Sequence, residues 1–275
     1  MFRQALNTAR VATRDTRKHT EIMRRLGRIL PEIDMNRSPA ALSNLLYALV
    51  TEVTGVRDPY AVQKKENNEA AMALLPGLEK KIHRSADPLK MALHLAVAGN
   101  IIDLGISHAF NLKRDVARIL KQPFALDDSA DFARELRPGR RLLYLGDNCG
   151  EIVFDRILIE QLIARGLDVT FVVKSGPIIN DAMREDAEWA GISRLCPVIE
   201  TGSNDIGVGW DRISPEFRSH VRKADIILGK GHGNFETCVG RRGNYYFLLK
   251  AKCDTVAAEL GVKTGDSVFK HVWTE

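Results

Sequence analysis

The chain has 275 residues, 45% hydrophobic and 27% charged, an ordinary composition for a globular protein of one large or two modest domains. A net charge of +5 is too small to mark a nucleic-acid surface by itself, so nucleic acid is not an expected partner. No apolar run approaches the roughly 18 residues a membrane span needs, the amino terminus lacks an apolar signal core, and Cys149, Cys196, Cys238 and Cys253 show neither CxxC nor zinc-ligand spacing; these features predict a reduced, cytoplasmic protein without a membrane partner.

The first half reads as helix. Apolar residues recur at three-and-four spacing over Phe2–Arg14, Arg17–Leu30 and Pro39–Val53, with Ser38-Pro39 as an N-cap and first turn. The basic residues from Arg3 to Arg28 run through this pattern as a solvated face. Gly55 to Asp58 breaks the chain, and Pro59 opens the next helix. Helical character returns over Lys64–Leu75, is expected to stop near Pro76-Gly77, and resumes after Asp87-Pro88 over Leu89–Asp103 and then Leu112–Leu120. Phe124–Pro138 reads as an acidic linker.

From Arg141 the pattern changes to alternating strands and helices. Strands are expected at Leu142–Leu145, Asp168–Val173, Cys196–Glu200, Ala224–Gly229, Tyr245–Leu249 and Asp254–Ala258. Helices are expected at Glu151–Arg165, Asn180–Ala190 and Pro215–Lys223, with a helical turn starting at Phe235. Such alternation predicts a mostly parallel sheet covered on both faces. The expected architecture is α/β: a helical amino-terminal domain (1–125), then a Rossmann-like three-layer α/β/α domain (139–275).

Three loops would then share the carboxyl edge of the sheet, where open α/β folds bind ligands. The first is Gly146-Asp147-Asn148-Cys149-Gly150-Glu151. Asp147 and Asn148 are poor strand formers but good ligands for a hard cation; each is also a good helix cap, and one cap suffices. The second, Lys174 to Asp181, brings a carboxylate towards that pair and a lysine suited to a phosphate oxygen. Asp181 by itself also reads as a cap. The third, Gly229-Lys230-Gly231-His232-Gly233-Asn234, combines glycines that admit an anion with Lys230 and with Asn234 to orient substrate or water; His232 reads as a solvated loop histidine. Carboxylates, amides and lysines in this mixture suit a divalent metal acting on a phosphorylated small molecule, with metal-activated water as nucleophile. Glu151 or Asp155 would act as base or as orienter. Asp147 as a covalent nucleophile is the other mechanism these residues allow. An S-adenosylmethionine-dependent carboxyl methyltransferase fits less well, because Lys174 stands where an acidic ribose ligand belongs and the first turn is crowded. A non-catalytic phosphometabolite binder is the third class.

These loops resemble the damage-control phosphatase family, long catalogued as a domain of unknown function and related to proposed acidic-residue methyltransferases, in its short stand-alone prokaryotic branch. The residues that carry the resemblance are Gly146-Asp147-Asn148-Cys149-Gly150-Glu151-Ile152-Val153-Phe154-Asp155, Lys174-Ser175-Gly176-Pro177-Ile178-Ile179-Asn180-Asp181-Ala182 and Lys230-Gly231-His232-Gly233-Asn234-Phe235-Glu236. Lys64 to Asn68 and Ala98 to Asp103 look similar too. The resemblance implies hydrolysis of phosphomonoesters, such as sugar phosphates or damaged phosphometabolites, with manganese, cobalt, nickel or magnesium held by Asp147, Asn148 and Asp181. It further implies phosphate contacts from Lys174 and Lys230, with Asn100 and Asp103 facing the site from the helical domain. Relatives often carry Cys-x-x-Cys ahead of the helix containing Phe2 to Leu6. This sequence starts inside that helix, so no role is expected from such cysteines. Oligomeric state is not legible from the sequence.

Overall fold

Leu142, Leu143, Tyr144 and Leu145 are apolar on both sides of the backbone, so the strand they form has to be covered on both faces. In the computed structural model, which describes residues 1–34, 39–102 and 122–275, that strand lies in a seven-stranded sheet. Numbered in chain order, the strands are β1 (Leu126–Asp127), β2 (Arg141–Leu145), β3 (Asp168–Val173), β4 (Val198–Glu200), β5 (Ile226–Lys230), β6 (Gly243–Lys250) and β7 (Ser267–Thr274). They run in the order β1-β7-β6-β5-β2-β3-β4, and every pairing is parallel except β6 with β7. The expected α/β class with a mostly parallel sheet and a helical amino-terminal part is the observed one.

The period of two in each strand sends alternate residues to two cores. Tyr144, Phe171, Leu228, Tyr246 and Phe269 face a layer built from α4 (Ala61–His83), α5 (Pro88–Ile102), α6 (Ser129–Glu135) and α7 (Glu151–Ile163), joined by α8 (Arg184–Trp189). Leu143, Leu145, Val172, Phe247 and Leu249 face the opposite layer of α9 (Pro215–Lys223), α10 (Gly231–Cys238) and α11 (Asp254–Leu260). The first three helices, α1 (Phe2–Ala12), α2 (Thr16–Ile29) and α3 (Pro39–Thr54), form a third cluster around Ala5, Ile22, Leu26, Leu46 and Val50. Ile178, from the loop after β3, is buried in that same cluster. No helix among the described residues is long and apolar enough to cross a membrane.

Four local expectations need correction. The helix expected at Asn180–Ala190 is only Arg184–Trp189, because Asp181 bridges to Asn148 and Met183 bridges back to Lys174 instead. Asp254–Ala258 is not a strand but the start of α11, whose capping residue Gly261 takes the left-handed conformation. Helix α4 does not stop at Pro76; buried Leu75, Leu78 and Ile82 carry it through the lost amide bond to His83. The acidic linker at Phe124–Pro138 contains β1 and α6, with Phe132 fully buried against Tyr246 and, edge-on, Phe269. Ser38, Asp103 and the expected helix at Leu112–Leu120 lie outside the described residues, as does the side chain of Asn100.

Phe132→Ala should therefore cost about 3–5 kcal/mol of stability through lost burial and a residual cavity. Urea denaturation measures it; a loss below 1 kcal/mol would mean α6 is not part of the core.

Candidate active site

The chain leaves β2 towards β3 on one side, while β5 lies on the other. The carboxyl ends of β2 and β5 therefore flank the point where the strand order reverses, where such sheets form a ligand crevice. Asp147 follows β2, and α10 begins directly after β5 at Gly231. Gly231 has φ +74°, and a side chain there would run into the Asp147 carboxylate, so glycine is required by both conformation and space. Asp181 reaches the same place by a backbone bridge to Asn148, reinforced by the Ala182 amide donating to the Asp147 carbonyl at 2.8 Å. The turn before it contains Ile179 at φ 45°, the one non-glycine residue with positive φ among the described residues. A β-branched residue held in that region marks backbone strain beside the site.

Asn148 is buried, and its amide nitrogen donates to Asp147 Oδ2 at 3.2 Å and to Glu151 Oε1 at 2.9 Å. Burial raises the Asp147 carboxyl well above its ordinary range, and the negative charges of Glu151 and Asp181 raise it further. Glu151 is raised by burial as well, though Lys230 works against the shift.

The predicted lysines are both buried and engaged. Lys174 donates to the Gly207 carbonyl and lies 3.5 Å from Asp181 Oδ2. Lys230 is fully buried, donating to Asp155 Oδ1 at 2.7 Å, Glu151 Oε2 at 3.2 Å and the Ala96 carbonyl of α5 at 2.8 Å. Asp155, also fully buried, accepts a second bond from the Tyr144 hydroxyl at 2.7 Å. Burial disfavours the Lys230 charge, but Asp155 and Glu151 outweigh it and hold the ammonium protonated. Asn234 donates to the carbonyls of Gly146 at 3.1 Å and Lys230 at 2.8 Å, tying the loop after β2 to the end of β5. The structure thus brings Asp147, Asn148, Asp181 and Glu151 together and sets Lys230 and Asp155 beneath them. Asp103 and the side chain of Asn100 lie outside the described residues.

The family model of the damage-control phosphatase ARMT1-like domain matches residues 1–268. The chain belongs to that family. The damage-control phosphatase PH1575 of Pyrococcus horikoshii is 35% identical over 269 residues, covering 96% of this chain and 93% of the relative. A damage-control phosphatase of Archaeoglobus fulgidus is 35% identical over 240 residues, covering 85% of this chain and 82% of the relative. The crystal structure of PH1575, a DUF89 family protein, superposes with a TM-score of 0.89 at 34% identity, covering 98% of this chain and 94% of that one.

In this member of the family, several residues join the site without having been singled out for it. Asn68 of α4 accepts from the Gly150 amide at 2.6 Å and donates to Asp186 Oδ1 at 2.9 Å; Lys64, one turn earlier, pairs with Asp186 and Asp58. They lie in the Lys64–Asn68 segment already noted, but only the fold shows what they hold. His232 is half-buried, and its Nε2, 2.7 Å from the Lys250 carbonyl and 2.9 Å from the Lys252 amide, either donates to the first or accepts from the second according to its tautomer, tying it to the end of β6 by one bond. Among the described residues, no three His, Cys, Asp or Glu side chains are grouped to hold a metal ion by themselves. A cation here would draw on the Asn148 oxygen beside Asp147 and Asp181. These hard oxygen donors fit magnesium or manganese better than a soft metal, and the crowding of like charges fits a cation. A cleft of about 1220 Å³ runs beside the loop carrying Asp181 and is lined by Ser175 to Ile178, Tyr47, Arg57 and Trp210; none of Asp147, Asn148 or Asp181 lines it.

Lys230→Met should cost about 3–5 kcal/mol at neutral pH, because it strands two buried carboxylates. The loss should shrink in acid as Glu151 and Asp155 become neutral; a pH-independent loss in chemical denaturation would contradict the charge argument. Asp147 has the opposite consequence. Its carboxyl binds protons more tightly in the folded than in the unfolded chain, so stability falls as pH rises through the raised value and is regained towards about pH 4. Asp147→Asn should therefore melt above wild type in chelator-treated protein at pH 8, with the difference closing in acid. Equal melting temperatures at pH 8 would refute it.

Proposed function

We propose that this protein is a divalent-metal-dependent phosphatase that hydrolyses phosphomonoesters of small metabolites, sugar phosphates or damaged phosphometabolites among them. The observation that carries this reading is the meeting of Asp147, Glu151, Asp181 and the Asn148 amide at the switch point of the sheet, where burial first, and the neighbouring negative charges second, raise the Asp147 carboxyl. Membership of a family whose curated relatives are named damage-control phosphatases supports the reaction class. Asp147, Asn148 and Asp181 would hold the cation: manganese, cobalt, nickel or magnesium. When bound, it would polarise the phosphoryl group and lower the pKa of the attacking water.

The chain's own residues supply the rest. Both Glu151 oxygens are occupied, one by Asn148 and one by Lys230, so Glu151 acts by orienting the Asn148 amide. Asp155, sealed under Lys230 and Tyr144, orients Lys230 in turn and does not meet substrate. Lys174 steers Asp181, and Asn234 keeps the loops after β2 and β5 in register. A dinucleotide or S-adenosylmethionine cofactor is disfavoured, because the residue after β3 is the buried Lys174 where a ribose-binding carboxylate would stand. Four free thiols, three of them buried, fit the reducing cytoplasm.

The test is hydrolysis of p-nitrophenyl phosphate by chelator-stripped protein, with magnesium, manganese, cobalt and nickel restored one at a time. Turnover should return with at least one cation and fall by about 1000-fold or more in Asp147→Ala, the several kcal/mol a metal Lewis acid supplies. Metal-independent turnover, or an active Asp147→Ala variant, would sink the proposal.

A further inference from the structure

Helix α4 belongs to the helical amino-terminal part, yet one of its side chains leads to both loops that carry Asp147, Asn148 and Asp181. Asn68 Oδ1 accepts from the Gly150 amide at 2.6 Å, two residues beyond Asn148. Its Nδ2 donates to Asp186 Oδ1 at 2.9 Å, and Asp186 Oδ2 accepts from the Met183 amide at 2.9 Å, two residues beyond Asp181. Taken singly, each is a contact at a helix start: Asn68 bonds the residue ahead of α7, and Asp186 the residue ahead of α8. Joined, they span the two loops. Those loops also meet directly, the Ala182 amide donating to the Asp147 carbonyl and the Cys149 amide to the Asn180 carbonyl, both at 2.8 Å. That pairing is antiparallel, so Gly150 lies beyond one end of it and Met183 beyond the other. Two bonds fix the register of such a pair and leave it free to twist. The Asn68–Asp186 link crosses it as a diagonal and removes that freedom. Both side chains are buried, where an unbonded amide or carboxylate is costly, and Lys64, 3.8 Å from Asp186, offsets the charge.

We propose that Asn68 and Asp186 are positioning residues for the cation site. Their diagonal tie sets the separation of the Asp147–Asn148 turn from Asp181, and with it the affinity for the metal, while neither side chain is a ligand. The cation itself rests on the phosphatase reading above. A small hard cation tolerates little departure from its preferred ligand geometry, so a modest change in that separation is felt as lost affinity. The helical part thereby governs the metal site at second hand.

The experiment compares wild type with Asn68→Asp, Asp186→Asn and the double variant carrying both. Calorimetry measures binding of magnesium, manganese, cobalt and nickel, each alone, to chelator-stripped protein, and the melting temperature of the metal-free protein is the folding control. Asn68→Asp sets two carboxylates against each other, and Asp186→Asn two amides. Each single variant should bind the cation about tenfold or more weakly. The double variant restores the link with its polarity reversed, the new amide donating to the new carboxylate, and should return to within about threefold of wild type. Single variants that melt lower but bind the cation within about twofold of wild type overturn the positioning role and leave the phosphatase reading standing. A double variant as weak as the single ones overturns it too. Should Asn68→Asp fail to fold, Asp186→Asn and the double variant decide by the same criteria. A wild type that binds a cation through this tie but does not hydrolyse p-nitrophenyl phosphate keeps the tie and removes the phosphatase reading. A wild type that binds none of the four cations overturns both.

Discussion

One ammonium group organises the centre of this protein. Lys230 ends β5, and its Nζ reaches through the sheet edge to Glu151 and Asp155 of α7 and to the Ala96 carbonyl of α5. Two carboxylates with no exposure at all are tolerable only because that charge sits between them. The arrangement fixes more than charge. Lys230 holds Glu151, Glu151 holds the Asn148 amide, and Asn148 braces Asp147. A buried ion pair is weak evidence for net stability, since desolvation offsets much of the attraction. Here its consequence is geometric, because it sets the azimuth of α7 against the sheet and thereby the direction in which Asn148 points.

A second brace comes from α4. Asn68 caps the turn at Gly150 and Asp186 completes the chain, so the helix carrying Glu151 is held from the sheet below and from a neighbouring helix beside it. The amino terminus of α7 also faces the carboxylates, and its dipole favours negative charge there. The third support is Lys174 beside Asp181. The braces act at different points: Lys230 on Glu151 and Asp155, Asn68 on the Gly150 amide, and Lys174 on Asp181. Burial above all, and then the charges of Glu151 and Asp181, leave Asp147 with a raised proton affinity despite these braces.

Much of this was readable before any coordinates. Gly146-Asp147-Asn148 stood out because a buried strand ending in two polar oxygens has no folding reason to do so. Asp181 was tied to the same edge by the parallel topology alone, although the helix expected around it is in fact a bridged loop. Depth was not readable. Lys230 and Asp155 have the residue types of an active site, and nothing in their spacing reveals that they pair with each other beneath it. Pro76 was read as a stop because local rules favour one; the buried face of Leu75, Leu78 and Ile82 overrules it. The short run Val256-Ala257-Ala258 is equally compatible with strand and helix; in α11 it leaves residues 251–253 as the short loop that follows β6.

The depth of the two motif lysines shapes what the site can do. A lysine that binds a transient ligand has to be solvated in the free protein and desolvated on binding, whereas one that holds a carboxylate is best buried from the outset. In this chain β5 supplies a permanent cation, Lys230, held by Glu151, Asp155 and the Ala96 carbonyl. His232, two residues beyond Lys230, ties the β5 end to the end of β6 through a single Nε2 bond, to the Lys250 carbonyl or from the Lys252 amide. Any shift of the β5 end would move the Asp147 wall at Gly231 and the β6 loop together.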